Sequence, residues 1–249
     1  MMSSECLNCA SPVSQNYCSH CGQKSSTHRY SIKHFLLHDF VHSVWHVDKG
    51  IFFTLKELFT RPGNSVREFI EGKRVPYFSF ITLILLILTV SGLLAPYIHI
   101  TATDLVPEVS KAMTNEFEKT ISRYPKLYLI ITIPIYSLLS FLWFKKAKFN
   151  YSEHLVMNSY RIIPEMLFNL FGSVVSIFYA NKQVLIVLCI MIPAVFGFIY
   201  SIWFYYQFFS KSAYGAKGRL LRSVLILISF FMIPMIMGLI AGMLMAKAH

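Results

Sequence analysis

The feature that most constrains this chain is a hydrophobic block from about Phe78 to Ala246, which short polar connections divide into five apolar runs. An uncharged apolar stretch of about 18 residues or more predicts a bilayer-spanning helix, because roughly 20 residues at about 1.5 Å each cross the hydrocarbon core. We therefore predict an all-α integral membrane protein with a five-helix transmembrane bundle. The predicted spans lie near residues 78–97, 127–144, 162–180, 184–209 and 223–246.

The composition agrees with this prediction. The chain is 55% hydrophobic and 14% charged, whereas soluble domains are about 25% charged. Ahead of the membrane domain, residues 78–249, we place a head at residues 1–27 and a juxtamembrane region at residues 28–77. The polar, cysteine-containing N-terminus does not predict a cleavable secretory signal.

The head contains two C-x-x-C pairs, Cys6 with Cys9 and Cys18 with Cys21. Each pair predicts a tight turn that aims both sulfurs at one point, and four thiolates suit a tetrahedral Zn²⁺ ion. The alternative is two disulfides, which would need an oxidising compartment. Because protein ligands fill all four positions, we predict a small structural zinc ribbon that docks a cytoplasmic protein. Too few basic residues follow it to favour nucleic acid.

The second candidate site is a histidine stripe in the helical pattern between Ser31 and Val47. Four histidines recur at every fourth residue, namely His34, His38, His42 and His46. Imidazoles one turn apart can share a metal ion or sense pH. The alternative is the solvated face of an amphipathic juxtamembrane helix on the membrane surface, with Trp45 at headgroup depth. A second apolar segment follows and stops at the turn Arg61-Pro62-Gly63.

Short motifs connect the cysteines to the first span. His-x-Asp-x-Gly ends at Gly50, Leu-x-x-Leu-x-x-Arg-Pro-Gly runs from Leu55 to Gly63, and Glu-Gly-Lys-Arg ends at Arg74. Over residues 5–95 this arrangement resembles an uncharacterised bacterial family of zinc-ribbon-headed multi-pass membrane proteins, known only as a domain of unknown function. The resemblance implies no activity.

The second half of the chain carries further motifs. Tyr-x-x-x-Pro occurs from Tyr160 to Pro164, and Tyr214-Gly215 precedes a basic run into the fifth span. With five spans and a cytoplasmic head, residues 78–246 are similar to the YIP-type (Ypt-interacting protein) membrane family, which implies a scaffold or trafficking-type adaptor. The zinc head departs from the eukaryotic members, so a small-GTPase partner is not implied.

Basic residues predict the orientation. With the head inside and Arg161 counted with the third span, the inner segments carry nine, three and four lysines and arginines, and the outer segments carry four, one and one. Cytoplasmic loops are enriched in lysine and arginine. We therefore predict a multi-pass protein of the cell inner (plasma) membrane with a cytoplasmic N-terminus and an external C-terminus.

The third span carries a polar stripe at steps of three and four residues, formed by Asn158, Arg161, Glu165 and Asn169. A carboxylate that faces lipid costs a few kcal/mol, so Glu165 is expected to face the bundle with Arg161 as its partner. The stripe is either a structural polar contact or an intramembrane functional site, and Arg161 is close enough to the inner boundary to snorkel.

The sequence contains no His-Glu-x-x-His, Gly-x-Ser-x-Gly or phosphate-loop signature, which favours a non-enzymatic scaffold, adaptor or sensor. The first alternative is a small-solute transporter or permease that uses the polar stripe and the proline-broken spans. The second is a membrane enzyme acting on lipid, with the histidine stripe as its site.

Overall fold

The computed structural model describes residues 5–27, 50–98, 125–179 and 181–247. Residues 50–98, 125–179 and 181–247 are mostly helical, whereas residues 5–27 form turns and two isolated bridges, and these described ranges contain no β-strand. The α-helices are α1 Gly50–Thr60, α2 Pro62–Glu71, α3 Phe80–Leu94, α4 Pro125–Trp143, α5 Tyr151–Phe178, α6 Lys182–Ile186, α7 Ile192–Phe208 and α8 Ala216–Lys247. The all-α prediction is confirmed for the described residues.

Three helical segments are long and apolar enough to cross a membrane, where five spans were predicted. They are Phe80–Tyr97, Tyr151–Phe178 and Gln183–Lys211. Within α4, the described side chains form a shorter apolar stretch, Leu129–Trp143. The side chains of α8 are described only as far as Ile233. The described apolar part of α4 falls short of a full bilayer crossing, and most of the fifth predicted span, residues 223–246, lies outside the described side chains.

Helix α5 begins three turns before the predicted span at residues 162–180. It starts with a capping box, in which the Asn150 side chain accepts from the Glu153 backbone N–H and the Glu153 carboxylate accepts from the Asn150 N–H. Four polar residues in these first turns are at most 1% exposed, namely Glu153, His154, Asn158 and Arg161. Because these residues are polar, the mean hydropathy of the first turns of α5 is low, although neighbouring helices bury the side chains.

Helices α1 and α2 form a hairpin that the Arg-Pro-Gly turn closes. Arg61 donates to Glu57 of α1, and both of its terminal nitrogens bind the Glu68 carboxylate of α2, at 3.0 and 3.3 Å. Such two-pronged pairs are strong and geometrically specific. Pro62 occupies the first turn of α2, where a backbone donor is not needed.

This hairpin packs into the helical core. Leu58, Val66 and Ile70 are at most 2% exposed and belong to the same cluster as side chains of α3, α5 and α7. Gly63 allows the closest approach, because a Cβ atom there would lie 2.2 Å from the carbonyl oxygen of Phe204 on α7. These two juxtamembrane helices are therefore part of the bundle.

Hydrogen bonds tie helix α7 to both helices of the hairpin. Arg67 is 5% exposed and donates to the carbonyls of Gln207 and Phe208, at 3.0 Å each. These carbonyls belong to the last residues of α7, where an α-helix lacks the usual i+4 donors. The Tyr200 hydroxyl donates to the Leu58 carbonyl at 3.1 Å.

We expect Gly63→Ala to destabilise the fold by about 3 kcal/mol. The added methyl group would collide with the α7 backbone, and overpacking typically costs about 1–3 kcal/mol. Thermal unfolding of the detergent-solubilised chain would measure the loss. Gly92→Ala on α3 is the matched control, because its Cβ would have no neighbour within 4 Å and alanine is the better helix former by about 0.5–1 kcal/mol. Equal melting temperatures for the two variants would contradict the close contact.

Candidate metal site and buried polar network

The four cysteines of the head converge on one point. The Sγ atoms of Cys6, Cys9, Cys18 and Cys21 all lie within 4.8 Å of one another. Cys6 and Cys21 are 3.5 Å apart, and Cys9 and Cys18 are 3.6 Å apart. A disulfide bond is about 2.05 Å long, whereas four sulfurs at about 2.3 Å from a tetrahedral ion lie about 3.8 Å apart. The cluster can therefore hold a metal ion.

Both cysteine turns have the same backbone design. The Ala10 N–H donates to the Cys6 carbonyl and the Gly22 N–H donates to the Cys18 carbonyl, at 2.8 Å each. Ala10 and Gly22 both adopt left-handed conformations, with φ of 59° and 75°. This conformation is free for glycine and strained for alanine. The repeated turn explains why both pairs aim their sulfurs inward.

The environment of Cys9 favours the thiolate, which is the form that binds metal. Hydrogen bonds from the side chain and then from the backbone of Ser11 lower the pKa of the Cys9 thiol from 9.0 to about 6. These hydrogen bonds therefore favour the ionised form of Cys9 that a metal ion requires.

Gln23 attaches the head to the end of α2. Its Nε2 donates to the Gly72 carbonyl at 2.8 Å, and its Oε1 accepts from the Arg74 N–H at 3.2 Å. The side chain is 5% exposed. Beside it, a Cβ atom on Gly72 would lie 2.8 Å from Leu7 Cδ1. We call these contacts the Gln23 clasp. Gln23 follows Cys21 by two residues, so the folded head positions the clasp.

Arg161 and Glu165 form an ion pair on α5, with 2.6 Å between Nη1 and Oε1. Arg161 is 1% exposed and also donates to the Ser201 hydroxyl of α7 at 2.6 Å. Its guanidinium lies 4.1 Å from the centre of the Tyr136 ring of α4. Ser201 in turn donates to Glu165 Oε1 at 3.1 Å. The charged pair therefore joins three helices.

Asn158 forms the second part of the network. Its Oδ1 accepts from the Tyr205 hydroxyl at 2.6 Å, and its Nδ2 donates to the His154 carbonyl at 2.9 Å and to the Ser140 hydroxyl at 3.2 Å. Ser140 also lies 2.8 Å from His154 Nδ1. Sequence reasoning missed His154, although it precedes Asn158 by four residues and continues the polar stripe.

Asn169 does not join this network. It is exposed and, with Glu165, lines a groove of about 230 Å³. Ser91 of α3 and Ser173 of α5 add hydroxyl groups to the lining. The structure thus brings Asn158, Arg161 and Glu165 into the bundle and leaves Asn169 at its surface.

The predicted histidine stripe, formed by His34, His38, His42 and His46, lies outside the described residues and stays a prediction. Within the described ranges, the four cysteines are the only cluster of three or more histidine, cysteine or acidic side chains placed to hold a metal ion.

Comparison with known families matches residues 48–92 to the family described as "Protein of unknown function (DUF3667)". The matched stretch contains α1, α2 and most of α3, and therefore includes Gly63 and Arg67. No curated protein and no solved structure matches the chain. The match supports the resemblance to a family of unknown function, and no comparison supports the YIP-type resemblance.

Proposed function

We propose that this chain is a non-enzymatic, multi-pass protein of the cell inner membrane whose zinc ribbon docks a cytoplasmic protein. The observation that carries the proposal is the Gln23 clasp, because a partner bound to the ribbon is thereby held against the bundle. Four protein thiolates would complete a structural Zn²⁺ site and leave no position for a catalytic water.

The contacts among the connections support a cytoplasmic head. The Lys146 N–H donates to the Tyr214 hydroxyl at 3.1 Å, and Lys211 Nζ lies 3.8 Å from a Glu71 carboxylate oxygen. The basic α4–α5 and α7–α8 connections therefore meet at the end of the bundle where α2 ends. Lysine and arginine concentrate on the cytoplasmic side of membrane proteins. In this proposal, α4 and α8 supply the second and fifth of five spans.

An exposed surface of the ribbon offers a docking face. Tyr17 is 60% exposed and, with Ser14, Gln15 and Asn16, lines a surface hollow of about 470 Å³. Tyrosine is enriched in protein interfaces because it combines a large apolar ring with a hydrogen-bonding group.

A photoreactive phenylalanine analogue at position 17 tests the docking function in native membranes. We expect it to cross-link the full-length chain to a defined cytoplasmic protein, and Cys18→Ser to abolish the product. The control position is Tyr97, which is 61% exposed after α3. The absence of a product at position 17, or the same products at both positions, would refute the proposed docking face.

The clasp itself makes a separate prediction. We expect Gln23→Ala to raise the hydrogen-exchange rate of the Arg74 amide about tenfold, because the amide loses its acceptor and a hydrogen bond contributes about 0.5–1.5 kcal/mol. Exchange measured by mass spectrometry on peptides that contain Arg74 would show the change. Gln15→Ala, at an exposed ribbon position, is the control and should leave the rate unchanged. Identical exchange in both variants would show that Gln23 does not hold the ribbon.

A small-solute transporter or permease is the second candidate, favoured by the groove beside Glu165. Intramembrane carboxylates next to a polar cavity commonly mark a solute or ion pathway. Solute flux in reconstituted vesicles that is lost in Glu165→Gln and kept in Gly92→Ala would favour this function over docking. The alternative of a membrane enzyme acting on lipid depends on the histidine stripe. A measured content of two metal ions per chain would support it.

A further inference from the structure

An apolar groove of about 470 Å³ lies between the end of α7 and the beginning of α8. Its α7 wall consists of residues at helical spacing, Ile199, Ile202, Trp203 and Tyr206, and its α8 wall includes Lys217 and Leu220. Ile199 is 62% exposed and Leu220 is 49% exposed. The groove therefore opens on the outer surface of the bundle, on the side that a bilayer would cover.

One end of the groove is cationic. Lys217 lies in the first turn of α8 and is exposed. Arg219 places its guanidinium 4.8 Å from the centre of the Tyr206 ring and donates to the Ser210 carbonyl at 2.9 Å. Trp203 and Tyr206 are of the residue types that concentrate at headgroup depth. The groove therefore offers an apolar wall to hydrocarbon and, at its end near one membrane boundary, positive charge.

We propose that this groove binds one anionic phospholipid. An acyl chain lies along the α7 wall, which extends about 10 Å from Ile199 to Tyr206 at about 1.5 Å per residue. The phosphate lies at the Lys217 ammonium and near Arg219. Zwitterionic lipids fill the same apolar wall, so the two cations supply the selectivity. The site goes beyond the docking function and requires only that α7 cross the bilayer.

Tryptophan fluorescence tests the proposal. The chain has three tryptophans, and Trp45→Phe with Trp143→Phe leaves Trp203 as the only emitter. The control chain, Trp45→Phe with Trp203→Phe, keeps Trp143 at the end of α4. Trp143 and Trp203 are each 36% exposed, so the two emitters are matched in exposure. Each chain is reconstituted in phosphatidylcholine vesicles that contain the same minor fraction of brominated phosphatidylglycerol or brominated phosphatidylcholine.

We expect brominated phosphatidylglycerol to quench Trp203 more strongly than brominated phosphatidylcholine does, and Trp143, which does not line the groove, to show a weaker preference. Lys217→Gln should reduce the preference about fivefold, since one cation near an anionic surface contributes about 1 kcal/mol. Lys145→Gln, at an exposed lysine of the α4–α5 connection, should leave it unchanged.

Equal quenching of Trp203 by the two lipids, an equal preference at Trp143, or no effect of Lys217→Gln would overturn the lipid site and leave the docking function standing. No quenching of Trp203 by either lipid would show that α7 lies outside the bilayer. That result would overturn the lipid site and the proposed membrane topology together.

Discussion

If the four cysteines hold a Zn²⁺ ion, its removal is expected to unfold residues 5–27 while α1 to α8 stay helical. Three residues in this stretch are buried, and two of them are Cys6 and Cys18. Such a segment has no apolar core of its own, so metal binding would supply most of its folding free energy, on the order of 10 kcal/mol for structural zinc peptides. Chelator treatment followed by limited proteolysis should cut the head and spare the bundle, with little change in far-ultraviolet circular dichroism.

Elemental analysis of purified variants provides the control for this prediction. We expect one Zn²⁺ ion per wild-type chain, none in Cys18→Ser, and one in Cys189→Ser, which removes the fifth cysteine far from the cluster. An unchanged metal content in Cys18→Ser would contradict a four-thiolate site. Resistance of residues 5–27 to protease after chelation would show that the head folds without metal.

Arg161→Met is expected to destabilise the bundle by about 3–5 kcal/mol, the usual loss when one partner of a buried ion pair is removed. The substitution leaves the Glu165 carboxylate, whose side chain is 24% exposed, without its cation. It also removes the donor to Ser201 and the contact with the Tyr136 ring. Thermal or denaturant unfolding of the solubilised chain would measure the loss.

Two further variants separate the charge from the packing. Arg161→Met with Glu165→Gln should recover part of the stability, because removing both charges of a buried pair is often close to neutral. Arg61→Met removes ion pairs with Glu57 and Glu68 in which the arginine side chain is 43% exposed, and it should cost less than Arg161→Met because solvent weakens exposed pairs. A double variant no more stable than Arg161→Met would show that the arginine acts through packing rather than charge.

The cysteine cluster could be predicted from the sequence because the geometry of each pair is local. Each C-x-x-C pair closes its own turn, so the spacing alone predicts that its two sulfurs lie together. Only the structure shows that the two turns converge on one point. The all-α class was likewise predictable, since long apolar runs leave few other ways to satisfy backbone groups in a bilayer.

The contacts that hold the hairpin in place could not be predicted, because they join distant parts of the chain. Arg67 binds a carbonyl 140 positions further along, and nothing near Gly63 in the sequence indicates that α7 would pass so close. His154 is different, since it continues the stripe of Asn158 and Arg161. It was missed because the predicted span began at residue 162, and buried polar residues at the start of α5 lowered its hydropathy.

The long separation between Arg67 and the end of α7 affects the order of biosynthesis. At about 5–20 residues per second, translation over the 140 positions that separate them takes about 7 to 28 s. During that interval, in which α3 and α5 are also made, the Arg67 guanidinium and the Cα of Gly63 lack their contacts with α7. The contacts of the hairpin with α3 and α5 can form earlier, so a chain truncated after α5 would lack the contacts of Arg67 and Gly63 with α7 and would hold the hairpin less firmly.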